Sequence, residues 1–388
     1  MRKRKICVIT GSRAEYGLLR PLIHLLNIDS SIDLRIIATG MHLEKKFGFT
    51  FKEIENDGFH IHKKCEIFPK NNSNSFVHKS VANGITKFAD IFSDIKPDIV
   101  VVLGDRFEIL SASIAAYFLR IPIAHIHGGE TTEGCFDEGS RHAITKMSHF
   151  HFVAAEEYKN RVIQLGEDPK RVFLVGALFV DAIKNTKLLS RDHIKEKMNI
   201  NFKEKNILLT YHPVTLEHNS SKNAFHILLD VLNERQDINI IFTAPNADPD
   251  SDIIFKMIHN FIEKNKNRST FFTSMGHLKY FSCLNTVDAM VGNSSSGMTE
   301  APALGIPTIN IGDRQKGRIH IPSIISCEPT KSSINSAFEL LYSKKFQSNL
   351  KNIIHPYGDG ETGKKIVKIL KNVDLPKNMK KTFFDLKI

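Results

Sequence analysis

Tryptophan is absent from the 388 residues, and cysteine is scarce: only Cys7, Cys65, Cys135, Cys283 and Cys327 occur. Their odd number, wide scatter and lack of any CxxC pair argue against a zinc ribbon or a disulfide framework and fit a reducing compartment. No apolar run approaches the roughly 18 residues that a membrane helix needs, so no transmembrane span and no membrane partner are expected. The basic start "MRKRK" resembles a leader, but "ICVITGSRAEYG" follows it. Gly, Ser and Arg interrupt that stretch, so no signal peptide is expected and the expected location is cytoplasmic. Beyond that start no dense basic run is present, although the formal net charge is +11. Lys and Arg are spread along the whole chain. With Trp absent, the dispersed excess fits an anionic small substrate or simple solubility at least as well as nucleic acid, and no nucleic-acid partner is expected. No internal repeat or low-complexity segment is present.

What the chain does have is an alternation of short apolar runs and helical patterns. Strands are expected at 5–10, 33–39, 98–104, 122–128, 149–155 and 172–176, then again at 206–212, 238–244, 269–274, 289–294 and 307–312. Several are continuous and β-branched, as strands buried on both faces of a parallel sheet should be. Two successive βαβ series predict an α/β protein of two doubly wound, Rossmann-like domains facing a cleft, 1–176 and 177–357. The last residues, "LPKNMKKTFFDLKI", read as a loosely attached tail.

In such sheets ligands bind beyond the carboxyl ends of the strands. The polar clusters fall there: "GSRAEYG", "GDRFE" and "HGGETTEG" in the first half, "YHPVT", "APNAD", "GNSSSGMTEAP" and "GDRQKGR" in the second. "GSRAEYG" opens a helix whose amides can hold an anion, with Arg13 adding charge, but it is not GxGxxG. "VVLGDRFE" sets Asp105 and Arg106 at the tip of a buried strand, where charge is costly unless solvated or used; Asp105 as a plain helix cap is the alternative. Ser294, Ser295 and Gly297 offer hydroxyls and amides to a phosphate, Glu300 could reach a ribose diol, and Arg314 could supply a cation. His212 ends the first strand of the second half. "GDGETGKK" nearly matches a phosphate loop, yet Lys365 replaces the Ser or Thr and no buried strand precedes it, so an ATPase is rejected.

The densest stretch is "AHIHGGETTEGCFDEGSRHA", residues 124–143. His125 and His127 would share a strand face, which suggests metal, but no tight ligand spacing such as HExxH accompanies them, so no metal is expected. Acid/base work by Glu130, Asp137 or Glu138 is the better reading, because crowded carboxylates push their pKa values apart.

Taken together, "GSRAEYG", "GDRFE", "HIHGGE", "DEGSRHAITKMSHFHFVA", "HPVT", "GNSSSGMTEAPALGIP" and "YGDGETGKKI" resemble, in order and spacing, the hydrolysing UDP-N-acetylglucosamine 2-epimerases over about residues 5 to 372. The resemblance implies a glycosyltransferase-B fold, with the final helix, 358–374, completing the first domain. It implies anti elimination of UDP from UDP-N-acetylglucosamine through 2-acetamidoglucal. Hydration then gives N-acetylmannosamine for sialic acid synthesis, with no cofactor and no catalytic metal. The homologous substrate UDP-N,N'-diacetylbacillosamine, leading to legionaminic acid, is the alternative. A homodimer or homotetramer is implied as well. By the same resemblance Asp105 and Asp137 are catalytic carboxylates and His212 a cleft histidine. Arg13 and Arg106 lie near the diphosphate, Ser294 and Ser295 at phosphate, Glu300 at ribose, Arg314 at the nucleotide, and Asn246 on the substrate side. Many members carry glutamate at the position of His127, so either His127 performs that proton transfer or Glu130 does. The lysine typical of the non-hydrolysing branch is missing from "GSRAEYG". A glycosyltransferase, which would need an acceptor, and a non-catalytic nucleotide-sugar sensor are the competing readings.

Overall fold

The computed structural model of the protein describes residues 2–70, 75–132, 137–213, 220–245, 251–273, 275–351, 353 and 355–386. The chain falls into two compact units: Met1–Glu130 with Phe136–Asn185 and Pro356–Ile388, and Thr131–Cys135 with Thr186–His355.

The first unit is built on β1 (Arg4–Thr10), β2 (Ile32–Thr39), β3 (Ile61–Cys65), β4 (Ile99–Leu103), β5 (Ile123–Ile126), β6 (Phe150–Val153) and β7 (Val172–Leu174). They pair in parallel in the order β3-β2-β1-β4-β5-β6-β7. Side chains alternate across a strand, so a continuous apolar run feeds two cores at once. Ile6 and Val8 of β1 join the core formed with Leu19, Leu22 and Ile366, while Cys7 and Ile9 join the one formed with Phe88, Phe92 and Ile109.

The second unit holds β8 (Lys205–Thr210), β9 (Ile238–Thr243), β10 (Ser269–Phe272), β11 (Ala289–Gly292), β12 (Thr308–Ile311) and β13 (Ile324–Cys327). All pairs are parallel, in the order β10-β9-β8-β11-β12-β13. Both sheets have the doubly wound strand order, with switch points between β1 and β4 and between β8 and β11. The glycine, serine and acidic clusters leave the strands at these points.

The first unit extends beyond the expected boundary at 176, to Asn185. The reason is Asp181, which is 2% exposed on the Leu178–Lys184 helix and caps the last helix, Thr362–Asn372. Its carboxylate accepts from Thr362 N at 3.1 Å and Gly363 N at 2.7 Å. Gly176 and Gly358 both have φ of +94°, and a Cβ on Gly358 would lie 3.0 Å from Gly176 Cα. The phosphate-loop-like "GDGETGKK" is therefore a crossing of two chain segments with a capped helix behind it. The tail, expected to be loosely attached, docks instead: Phe384 N donates to Gly166 O at 2.9 Å. Among the described residues, no helix is long and apolar enough to cross a membrane.

Candidate active site

In the first unit, side chains from the ends of β1, β4 and β5 and from the Asp137–Met147 helix form one ionic cluster. The centre is Arg141, 3% exposed. Its guanidinium donates to the Asp105 carboxylate, to Glu138 Oε2 at 2.6 Å and to Glu130 O at 2.8 Å. Burial opposes that charge, but the surrounding carboxylates outweigh the cost and fix it. Asp105 follows Gly104, whose φ of +77° turns the chain out of β4. The turn is held from behind by His125, which is fully buried, with Nε2 at 2.7 Å from Gly104 O and Nδ1 at 3.2 Å from Thr145 Oγ1. Burial holds its pKa at about 3. Both its nitrogens are thus engaged in neutral hydrogen bonds, which removes it as a metal ligand. Among the described residues, no group of three or more His, Cys, Asp and Glu could hold a metal ion.

Asp137 opens the helix that carries Arg141. Burial, then the nearby Asp105 charge, lifts its pKa to about 6, against the pull of Arg106 and Arg141. A carboxylate titrating so near neutrality suits proton transfer. His127 and Glu130, the two candidates for one proton transfer, are bonded to each other, Nδ1 to Oε1 at 2.9 Å. His127 has a φ of +65°, an uncommon left-handed conformation for a non-glycine residue. Its Nε2 is buried and makes no hydrogen bond among the described residues.

Arg106 is aimed by Glu108, whose Oε1 accepts from Nε at 2.6 Å. Glu108 is completely buried beside Gly11, where a Cβ would come within 2.5 Å of its Cγ. Glu15 shares this pocket: its Oε2 accepts from Gly11 N at 3.2 Å, while Ser12 Oγ accepts from Glu15 N. That is a variant capping box. Burial, reinforced by Glu108, pushes the Glu15 pKa well above the usual carboxylate range. Arg13 sits at the same helix start, half-exposed and 4.0 Å from Glu53.

In the second unit Asn293, 1% exposed, ties three segments together. Its side chain accepts from His212 N at 2.7 Å and donates to His212 O at 2.8 Å. Its carbonyl accepts from Arg314 at 3.2 Å and Gln315 at 2.9 Å. His212 is held neutral, its pKa pushed to about 3 by burial and then by Arg314. Ser294 caps the short Ser295–Gly297 turn, and the Ser295 side chain is exposed. Gly297 does not offer its amide as expected: the N–H donates to Ser294 O at 3.1 Å. A Cβ there would lie 2.7 Å from Thr308 Cγ2, so close packing explains the glycine. Glu300 accepts from the Thr299 hydroxyl. Asn246 lies outside the described residues.

Gly292 is the hinge of this loop. Its φ is +131°, and an added Cβ would fall 1.9 Å from Thr210 O. Gly292→Ala is expected to cost at least about 2 kcal/mol in urea unfolding. An unchanged midpoint would show that the strand end can relax.

Sequence reasoning missed Asn293, Glu15, Glu108, and Arg141 as the hub. The Glu138/Arg141 spacing of three on a helix was a usable signal. So was the position of Asn293 at a strand end directly before the serines.

A family model described as UDP-N-acetylglucosamine 2-epimerase matches residues 24–371. A Campylobacter jejuni protein named GDP/UDP-N,N'-diacetylbacillosamine 2-epimerase (hydrolyzing) is 43% identical over 387 residues, covering 100% of both chains. An Escherichia coli protein named polysialic acid biosynthesis protein P7 is 37% identical, covering 99% of this chain and 98% of that one. The solved UDP-GlcNAc 2-epimerase from Neisseria meningitidis, bound to UDP-GlcNAc, has a TM-score of 0.82 at 21% identity, covering 94% and 99%. The last likeness shows the fold, which is of the glycosyltransferase-B type.

Proposed function

Because the chain belongs to the UDP-N-acetylglucosamine 2-epimerase family, we propose that it hydrolyses UDP-N,N'-diacetylbacillosamine to UDP and the free 2-epimeric sugar. That it is a hydrolysing UDP-sugar 2-epimerase follows from its relatives; the choice of sugar is the proposal. The observation that carries it is the 43% identity with the Campylobacter jejuni enzyme across the full length of both chains. The sequence reading put UDP-N-acetylglucosamine first, and this identity reverses the order. UDP-N-acetylglucosamine remains the second reading, favoured by the 37% identical polysialic acid protein. A cytoplasmic homodimer or homotetramer is the proposed setting.

The roles follow from the chemistry. A C2 proton leaves while the C1–O bond to UDP breaks, and water then adds to the glycal. No electrons are exchanged with a cofactor. Asp137 takes the C2 proton, since its raised pKa lies near working pH. The His127–Glu130 pair moves the second proton, to or from water. Asp105, fixed by Arg141, holds the sugar. Arg13 and Arg106 offset charge developing on the diphosphate. Ser294, Ser295 and Arg314 hold the nucleotide phosphates, Glu300 the ribose, and Asn246 the sugar side. Neutral His212 donates or accepts a hydrogen bond without adding charge.

The test is incubation with each UDP-sugar in deuterated water, with no acceptor. Expected are UDP release, deuterium at C2 of the product, and kcat/KM at least about tenfold higher for the diacetylbacillosamine substrate. Release from UDP-N-acetylglucosamine alone transfers the assignment to the second reading. Release from neither, restored by adding an acceptor sugar, means a glycosyltransferase.

A further inference from the structure

The C-terminal segment reaches the far end of the helix whose first residue is Asp137. Lys381 Nζ donates to Lys146 O at 2.7 Å and Ser148 O at 2.5 Å, the carbonyls where the Asp137–Met147 helix ends. The last carbonyls of a helix lack intrahelical partners and carry its partial negative charge, so an ammonium there both bonds and neutralises. Lys381 also pairs with Glu167 Oε2 at 2.7 Å. Glu167, 3% exposed, takes Lys146 Nζ at 2.7 Å and His151 Nε2 at 2.9 Å as well. Burial alone would raise its pKa, but the His151, Lys146 and Lys381 contacts outweigh that and hold it near 2. Phe383 packs on Gly166, its ring 2.4 Å from where a Cβ would stand, with Lys146 Nζ 5.0 Å from its centroid.

We propose that Lys381 is a positioning residue, which clamps the C-terminal end of the Asp137–Met147 helix and so sets the position of Asp137 and Arg141. The helix has two anchors, Arg141 on Asp105 and the Glu130 carbonyl near its middle, and the Lys381–Glu167 clamp at its C-terminal end. Loss of the clamp lets the helix shift along its axis. A slide of one residue is about 1.5 Å, and a misplacement of about 1 Å can cost on the order of 10²-fold in rate. The inference rests on Asp137 being a group of the reaction.

The test uses the full chain with Lys381→Met and Lys381→Arg, reading steady-state kinetics and amide hydrogen exchange over residues 141–147. For Lys381→Met, kcat should fall about tenfold with KM within about twofold of wild type, and the helix amides should exchange faster. Lys381→Arg, still cationic and able to donate to all three acceptors, should recover most of kcat. Wild-type exchange with wild-type kcat overturns the clamp. Faster exchange with wild-type kcat overturns the positioning role alone; the part of Asp137 in the reaction stands or falls with Asp137→Asn, and the substrate with the assay above. An equal loss in Lys381→Arg also counts against the proposal. Should Lys381→Met not fold, Phe383→Ala carries the same test, because that side chain is 64% exposed and its loss spares the core. It should lower kcat about threefold and loosen the same amides.

Discussion

Asp137→Asn is expected to lower kcat by about 10³-fold while leaving UDP binding and thermal stability intact. Asp137 stands at the first turn of its helix, close to the charges of Asp105, Arg106 and Arg141. Burial and the Asp105 charge raise its pKa to about 6. A base must be ionised to act, so wild-type kcat/KM should fall tenfold per pH unit below about 6 and level off above it. Asparagine keeps the shape and removes the titration, so that acidic limb should disappear from the residual activity. The stability sign runs the opposite way to an ion-paired carboxylate. The folded pKa lies above the unfolded one, so ionising Asp137 opposes folding as pH rises through that interval, and the cost persists above it. Asp137→Asn should therefore melt at or above the wild-type temperature at pH 7. Turnover within threefold of wild type would remove Asp137 as the base. Loss of activity together with a lower melting temperature would make its role structural.

How far the sequence led can be judged from particular elements. The strands buried on both faces were legible because they are unbroken apolar runs, and β1, β4 and β8 lie within a residue or two of their expected spans. Two of the four edge strands, β3 and β13, were not expected, whereas β7 and β10 were. An edge needs one buried flank at most, and "IHKKC" carries two charges into the sheet edge, which reads as loop. The clusters at strand ends were legible too, since charge beside a buried run is conspicuous. Glu108 escaped for the converse reason: on the sequence it is an ordinary first-turn acid of a helix, and only the absence of a side chain at Gly11 lets it sink beneath β1. The tail escaped because its docking depends on Glu167 and two carbonyls, remote in sequence and invisible to local pattern.

His127 and Glu130 present the sharpest case, because the sequence offered them as alternatives and the structure joins them. If His127 Nδ1–H donates to Glu130, the buried Nε2 is left as the proton-accepting atom and the carboxylate fixes the tautomer, the same logic as a histidine oriented by an acid in a hydrolase triad. A dyad of this kind predicts non-additivity. His127→Asn and Glu130→Gln should each lower kcat by about 10²-fold, and the double variant should be no slower than the slower single one. Asparagine is the choice at 127 because it tolerates a left-handed backbone, here at φ +65°, better than most residues, so the turn after β5 should survive. Glutamine at 130 keeps the length of the side chain and removes its charge. Steady-state kinetics on the three variants decide among the mechanisms. Losses that multiply would mean two independent groups. A near-normal His127→Asn beside a crippled Glu130→Gln would make the carboxylate the proton carrier and the imidazole only its support. Coupling of the two losses, with the acidic limb near pH 6 unchanged, would assign that limb to Asp137 and the second proton to the dyad.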